Sequence, residues 1–150
     1  MTPINIEKFL NEIELRVGCA CETYDGIGND ETICIPKEKL LEVLDVLMTT
    51  FDCKHLTAIT AQQREEKLDE IEVVYHFWKD SGLSLLMTLP AENPELPSIV
   101  KIIPGADFYE RETAEMFGVS FTGRETTPPL LLPEEWDQGP PFIRKEHDNE

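Results

Sequence analysis

The chain has 150 residues, of which 13 are basic and 30 acidic, so its formal net charge at pH 7 is −17. Hydrophobic residues make up 41% and charged residues 29%, a composition typical of one globular domain with its own core. This negative charge disfavours binding to nucleic acid and to anionic lipid, and it favours a basic protein partner. The sequence has no apolar run of about 18 residues and no signal-peptide pattern at its start, so we expect a cytoplasmic protein.

The periodicity of apolar residues predicts the order helix, two strands, helix and three strands. A first helix is expected to be capped by Thr2, to begin with Pro3 and to end at Gly18. Strands are predicted at residues 19–24, 31–35, 55–60, 71–78 and 83–89, with a hairpin loop at 25–30 between the first two. This pattern predicts an α/β (α+β) fold in which helices cover one face of a two-layer sheet.

The second helix follows Pro36 and has the strongest periodicity in the chain. Its predicted apolar stripe contains Leu40, Leu41, Leu44, Leu47 and Met48, with Val43 beside it.

The last third is rich in proline and holds one predicted helix. Asp107 and Glu110 form an acidic version of a capping box, and Gly118 is placed to end the helix. Periodicity is weak beyond Gly123, which predicts a domain at 1–122 followed by an extended partner-binding arm and acidic tail at 123–150. The apolar segment 128–133 has no core of its own, so we expect the arm to become ordered only on a partner.

The cysteines and histidines form no recognised ligand motif. Cys19 and Cys21 are close in sequence, which leaves open a free-standing cysteine metal-binding module. Their spacing differs from the usual paired cysteines, and on a strand both side chains would share one face as small core residues. The remaining candidates are Cys34, Cys53, His55, His76 and His147, which are expected to be free thiols and ordinary histidines.

The charged run on the third helix has two interpretations. Glu110, Arg111 and Glu112 form a solvated face if charge alone decides, with Glu115 four residues from the arginine and able to pair with it. However, the same short helix carries Phe108, Tyr109, Met116 and Phe117, which favours burial against a partner. A hydrolase using Glu110 and Glu112 is disfavoured, because they point about 200° apart on a helix.

The segment 110–123 resembles the signature of the respiratory-chain NADH dehydrogenase 30 kDa subunit family, which supplies the C component of complex I. The signature has Glu-Arg-Glu, two free positions, an acid, two apolar residues and a spaced basic residue, which is Arg124 here instead of the usual His or Lys. Further similar segments are Pro104-Gly105-Ala106-Asp107-Phe108-Tyr109, Leu130-Leu131-Leu132-Pro133, Trp136 and Phe142-Ile143-Arg144-Lys145. The resemblance covers the chain from its first helix to Lys145 and includes counterparts in energy-converting hydrogenases, formate hydrogenlyases and F420H2 dehydrogenases.

The resemblance implies a non-catalytic structural or assembly subunit with a mixed sheet, no cofactor and no catalytic or metal-binding residue. It implies docking on the large catalytic subunit, the homologue of hydrogenase large subunits, beside a neighbouring small subunit of the same complex. The location implied is the peripheral part of a membrane complex on its cytoplasmic side. The residues expected at the partner interface are Glu110, Arg111, Glu112, Glu115, Met116, Phe117, Arg124, Leu131, Trp136 and Arg144.

Overall fold

The computed structural model describes residues 2–24 and 30–144. Its helices are α1 (Ile6–Val17), α2 (Leu40–Thr49) and α3 (Asp107–Phe117), and single 3₁₀ turns at Lys37–Lys39 and Pro104–Ala106 precede α2 and α3. Its strands are β1 (Glu22–Tyr24), β2 (Glu31–Cys34), β3 (His55–Gln62), β4 (Glu70–Trp78), β5 (Gly82–Pro90), β6 (Glu95–Pro97) and β7 (Ser120–Thr122). The order helix, two strands, helix and three strands is confirmed, and the predicted loop at 25–30 falls almost entirely outside the described residues.

The main sheet has five strands in the order β1-β2-β5-β4-β3 and is mixed. β1 and β2 are antiparallel, with Thr23 opposite Ile33, whereas β2 and β5 are parallel, with Ile33 opposite Leu85. The α/β (α+β) class with a mixed sheet is therefore confirmed.

A second, two-stranded sheet was not predicted. β6 and β7 pair in parallel, with Leu96 opposite Phe121, and α3 lies between them in the chain. Each strand has only three residues, which is too short to show an alternating pattern in sequence.

The chain divides into two compact units, each with its own buried residues. One consists of Met1–Ala58 and Val74–Met87, and its buried side chains include Phe9, Ile33, Leu44 and Tyr75. The other consists of Ile59–Val73 and Thr88–Glu150, and its buried side chains include Ile71, Leu96, Ile99 and Val119. The predicted boundary after residue 122 stays a prediction.

The first helix starts later than predicted. Asn5 is the residue before α1, and its side chain accepts a hydrogen bond from the Lys8 backbone N–H at 2.9 Å, so Asn5 replaces Thr2 as the cap. Gly18 ends the helix with a φ of 74°, as predicted.

The buried face of α2 is rotated from the predicted stripe. Leu40, Leu44 and Leu47 are buried as expected, and Val43 and Val46 are buried beside them. Leu41 is 42% exposed and Met48 is only half-buried, so these two residues were wrongly included in the stripe. A spacing of one residue is a 100° turn on a helix, which places adjacent leucines on different faces.

The predicted capping box of α3 is wrong. Asp107 is the first helical residue, and the cap position is Ala106, whose side chain makes no capping hydrogen bond. The 3₁₀ turn that precedes α3 continues directly into it, and the Asp107 carboxylate binds Arg124 instead. Gly118 ends the helix with a φ of 72°, as predicted.

No helix in the described ranges has the length and apolar character needed to cross a bilayer.

The two helix-ending glycines allow a matched comparison. Gly18 and Gly118 have nearly equal φ, but a Cβ on Gly118 would lie 2.8 Å from Pro140 Cγ, whereas a Cβ on Gly18 would meet nothing within 4 Å. We expect Gly18→Ala to lower the free energy of unfolding by about 1 kcal/mol through backbone strain alone. Gly118→Ala should cost about 2 kcal/mol or more in urea denaturation followed by circular dichroism. Equal losses in the two variants would contradict this, as would failure of Pro140→Ala to relieve the additional loss in Gly118→Ala.

Candidate functional site

The charged residues of α3 are organised around Glu110, whose side chain is fully buried at 0% exposure. Its two carboxylate oxygens accept hydrogen bonds from the Ile99 backbone N–H at 2.7 Å and from Ser98 Oγ at 2.8 Å. A buried carboxylate destabilises a protein unless it is well paired. Ser98 and Ile99 can donate to Glu110 only while the segment after β6 lies against α3. The interaction also explains why a charged residue can face the interior of a small domain.

Arg124 supplies the positive charge that Glu110 needs. Its Nη1 donates to Glu110 Oε2 at 2.9 Å, and its Nη2 donates to the Asp107 carboxylate. The Arg124 side chain is 14% exposed, so the pair with Glu110 is shielded from solvent on both sides. Because Arg124 lies two residues beyond the end of β7, this network fastens the chain after the second sheet to α3.

Arg111 is also largely buried, with 18% of its side chain exposed. It donates to the Pro128 carbonyl oxygen at 3.0 Å, lies over the Phe108 ring and is 3.8 Å from the Asp107 carboxylate. Its Nε is buried and has no hydrogen-bond partner within the described residues. The solvated-face interpretation is therefore wrong for this residue, and its neighbours come from its own chain.

Glu115 fastens the arm to α3 and does not form the predicted pair with Arg111. Its carboxylate accepts hydrogen bonds from three successive backbone N–H groups, those of Leu130, Leu131 and Leu132, the last two at 2.8 and 3.2 Å. Burial opposes ionisation of Glu115, but the three donors and the positive charge of Arg111 outweigh it and hold its pKa below the usual range. The ionised form thus binds the arm most strongly.

A second attachment of the arm lies at the end of α3. The ring of Phe142 meets the ring of Phe117 edge to face, with centroids 5.7 Å apart, and the Phe142 N–H donates to the Met116 carbonyl at 3.0 Å. This bond satisfies one of the carbonyl groups that the last turn of a helix leaves without an internal partner. Pro140 packs close to Gly118 at the same end.

A third attachment involves Arg144, whose backbone N–H donates to Gln63 Oε1 at 2.7 Å and whose guanidinium pairs with Glu65. The structure differs from the expectation that the arm becomes ordered only on a partner, because residues 128–132 and 140–144 bind the same unit that contains α3. Sequence periodicity missed this because the attachments are hydrogen bonds, one ring contact and one ion pair between residues far apart in sequence.

Several apolar side chains near these attachments are left uncovered. Leu131, Trp136 and Phe142 in the arm are 59%, 37% and 57% exposed, and Phe108 at the start of α3 is 63% exposed. Glu112, on the other side of the helix from Glu110, is exposed too. The ten predicted interface residues thus separate into side chains that hold this region together and side chains that face outward.

The structure argues against a hydrolase that would use Glu110 and Glu112 as paired carboxylates. Glu110 is buried and accepts hydrogen bonds from three donors, whereas Glu112 is exposed. The two carboxylates therefore do not face one substrate. A cavity of about 320 Å³ lies beside them, lined by Glu110, Arg111, Glu115, Arg124 and residues 125–128 among others. Four of its charged side chains, those of Glu110, Arg111, Glu115 and Arg124, already bind groups of their own chain, an arrangement suited to holding structure.

The cysteines and histidines of the described ranges include no group of three or more ligands, with Asp and Glu counted, that could hold a metal ion. His76 Nδ1 lies 2.9 Å from Ser84 Oγ, and burial lowers its pKa despite the opposing charge of Asp30. His147 lies outside the described residues. Cys19 and Cys21 have their sulfur atoms 3.4 Å apart.

Comparison with known families decides the identity of the chain. Residues 33–150 match the model of the family described as respiratory-chain NADH dehydrogenase, 30 Kd subunit. The chain belongs to this family. The match includes α3, the second sheet and the arm, so every residue of the charged network lies within the matched region, which confirms the resemblance predicted from residues 110–123.

Individual relatives agree with this membership. The chain is 34% identical over 137 residues to the C/D subunit of NADH-quinone oxidoreductase from Methylococcus capsulatus, a match that covers 83% of this chain and 22% of that protein. It is 33% identical over 104 residues to the C subunit of F(420)H(2) dehydrogenase from Methanosarcina mazei, covering 67% and 65% respectively. The C subunit of NADH-quinone oxidoreductase from a Roseiflexus species is 41% identical over 78 residues, which is 50% of this chain and 44% of that protein. The chain thus spans between about a fifth and two thirds of these relatives.

Two solved structures share the fold. A trypsin-resistant fragment of Nqo5 has a TM-score of 0.64 at 23% identity, with 83% of this chain and 100% of that chain covered. A chain of the membrane-bound sulfane sulfur reductase, an archaeal respiratory membrane complex, has a TM-score of 0.65 at 23% identity, with 79% and 71% covered.

The buried network predicts unequal effects for two glutamates that lie two residues apart. Glu110→Gln should lower the free energy of unfolding by about 3 kcal/mol or more, because its amide nitrogen must then face either the Ile99 N–H or the donors of Ser98 and Arg124, and the charge that pairs with Arg124 is lost. The exposed control, Glu112→Gln, should change it by less than about 0.5 kcal/mol. Urea denaturation of both variants measures the difference, and similar small effects would show that the Glu110 network is not stabilising.

The three-donor site on Glu115 predicts a pH-dependent attachment of the arm. Glu115→Gln should speed hydrogen exchange at the Leu130, Leu131 and Leu132 amides, whereas Glu112→Gln should not. Because the pKa of Glu115 is lowered in the folded chain, its contribution should be complete above about pH 4.3 and be lost as pH falls through the native pKa. NMR amide shifts of these leucines during an acid titration would follow the loss, and shifts that ignore both pH and the mutation would contradict the attachment.

Proposed function

We propose that this chain is a non-catalytic subunit in the peripheral part of a complex I-like membrane oxidoreductase, where it supports assembly around the large catalytic subunit. The observation that carries this proposal is the arm held on α3 by Glu115 while apolar side chains of the arm remain exposed. Exposed apolar side chains on a fixed backbone are typical of a surface that binds a stable protein partner. Family membership supports the same role.

The names of the relatives favour one partner. In Methylococcus capsulatus the matched region is 22% of a longer chain whose name joins C and D, so the C-like part is continuous with another subunit. We infer that the D-like large subunit, the homologue of hydrogenase large subunits, is the partner of this chain, with a neighbouring small subunit beside it. This chain would contact the membrane only through the rest of the complex, and it would lie on the cytoplasmic side of the membrane. Electron transfer coupled to ion translocation would be carried out by other subunits.

The roles of the ten interface residues differ in this proposal. Glu110 and Arg124 position the site from inside, and Arg111 and Glu115 hold the arm. The exposed members Glu112, Leu131, Trp136 and Arg144 would contact the partner, with Met116 and Phe117 as half-buried support. The arm would extend from residue 123 to the end of the chain.

Charge would guide the docking. The chain carries −17, so a basic surface on the large subunit would increase the association rate, and added salt would reduce it. Arm residues already attached to α3 would lose less conformational entropy on binding than a free segment would, because their backbone is ordered beforehand.

The exposed arm residues predict where binding energy lies. Leu131→Asp and Trp136→Ala should each weaken binding to the large subunit about tenfold or more, since buried apolar anchors dominate interface energetics. The matched control is Leu15→Asp on α1, a leucine that is 81% exposed and lies in the other compact unit. All three variants should keep their urea midpoints, because the wild-type side chains are partly or largely exposed.

Pull-down and titration of the purified full chain with the large subunit measure these affinities. Normal binding by the arm variants together with lost binding by Leu15→Asp would overturn the assignment of the arm as the docking surface. Absence of binding by the wild-type chain to any large subunit of its own organism would overturn the proposed role itself.

A further inference from the structure

Two cysteines between α1 and β1 stand apart from the proposed docking surface. Cys19 follows Gly18, the residue that ends α1, and Cys21 directly precedes β1. Their Sγ atoms are 3.4 Å apart, and Cys21 Sγ is also 3.9 Å from the Cys19 carbonyl oxygen. We propose that Cys19 and Cys21 are a dithiol pair that closes reversibly to a disulfide by exchange with small-molecule or protein disulfides.

The geometry requires little movement. A disulfide bond is about 2.05 Å long, so the two sulfurs must approach by roughly 1.4 Å, which rotation of the side chains can supply in part. The two cysteines are separated by Ala20 alone, and the short connection between α1 and β1 brings their sulfurs together. Neither cysteine lies inside a helix or strand, so the ladder hydrogen bonds of β1 need not be broken.

Access differs among the four cysteines of the chain. Cys19 and Cys21 are half-buried, and Gly18, Ala20 and Glu22 around them are exposed, so a small disulfide can reach the sulfurs. Cys53 is 1% exposed and therefore protected. Cys34 lies in β2 opposite Glu22, and it is half-buried as well, so it is the competing candidate for a bond with Cys21.

The environment of the pair sets the order of the two steps. Burial, the hydrogen bond between the Cys21 thiol and the Cys19 side chain, and the charges of Cys19 and Cys34 together raise the pKa of Cys21 to about 12. Cys21 therefore stays protonated in the reduced pair, and the attacking thiolate is Cys19. Two of those causes come from Cys19 itself and end once Cys19 has reacted, which lowers the pKa of Cys21 for the second step, while burial and Cys34 continue to raise it.

The thiol–disulfide exchange takes place in two nucleophilic substitution steps at sulfur. The Cys19 thiolate attacks one sulfur of the incoming disulfide, forms a mixed disulfide and releases one thiolate, which takes a proton from solvent. Cys21 then loses its proton to solvent, and its sulfur attacks Cys19 Sγ, which forms the Cys19–Cys21 bond and releases the second thiol. The two protein sulfurs are oxidised by two electrons in total, and the incoming disulfide is reduced to two thiols.

The small ring predicts a labile bond. A disulfide that joins residues two apart closes a small ring, and any departure from the preferred disulfide geometry within that ring makes the bond easier to reduce. The pair should therefore remain as two thiols when reduced thiol is in excess, and it should close only when disulfide predominates. This behaviour is that of a redox-responsive modification site and not of a permanent structural bond.

The test uses the full chain and bis(2-hydroxyethyl) disulfide, which is uncharged and so is not repelled by a chain of −17. We expect two of the four thiols to be lost, a mass decrease of about 2 Da, a linked 19–21 peptide after digestion, and complete reversal by excess 2-mercaptoethanol. Four thiols remaining at every ratio of disulfide to thiol would overturn the proposal. So would a bond that includes Cys34 or Cys53.

Single variants separate the roles. Cys21→Ser should stop the reaction at a stable mixed disulfide on Cys19, because the resolving sulfur is missing. Cys34→Ser and Cys53→Ser are the matched controls and should still lose two thiols and about 2 Da. Loss of the oxidation in Cys34→Ser, or no adduct on Cys19 in Cys21→Ser, would show that another pair reacts.

Discussion

The buried carboxylate of Glu110 and its pairing with Arg124 determine how the rest of the site is arranged. A carboxyl group at 0% exposure is tolerated only where donors surround it, and here they come from the chain after β6 and from Arg124, two residues beyond β7. The chain leaving the carboxyl ends of both parallel strands is thus held against one helix. A sheet of two three-residue strands would have little stability by itself, so the ionic network and the sheet support each other.

Successive residues of α3 make different interactions, because a helix turns by 100° per residue. Glu110 faces inward, Glu112 faces solvent, and Arg111 and Glu115, four residues apart, reach the arm at Pro128 and Leu130–Leu132. The charged signature of the family is therefore mostly a structural device in this chain. The chemistry it performs is hydrogen bonding to backbone groups of distant segments.

The arm combines two kinds of interaction that serve different ends. Its backbone is bound by charged and polar groups and its Phe142 ring contacts Phe117, whereas the side chains of Leu131 and Trp136 remain available at the surface. Backbone attachment limits the conformations of a proline-rich segment without using its apolar side chains, and those side chains contribute most when a partner buries them. The division between held backbone and free side chains is the physical basis of the proposed docking surface.

The sequence by itself determined the main elements and the family. The periodicity of Leu40, Leu44 and Leu47 predicted α2, the alternation along 71–78 predicted β4, and Gly18 and Gly118 marked the ends of two helices. Those signals depend on residues close together in sequence, so they can be recognised without knowledge of the fold. The run around Glu110–Glu112 identified the family because its residue types and spacing are specific.

Only the tertiary structure decided what the charged residues do. Asp107 satisfied the pattern of a helix cap, yet Arg124, seventeen positions later, binds it instead. Glu115 is spaced to pair with Arg111 on its own helix, but its carboxylate accepts hydrogen bonds from three backbone N–H groups of the arm, while Arg111 donates to the Pro128 carbonyl. These contacts join residues far apart in sequence, and no local pattern records which distant donor will reach a carboxylate once the chain has folded.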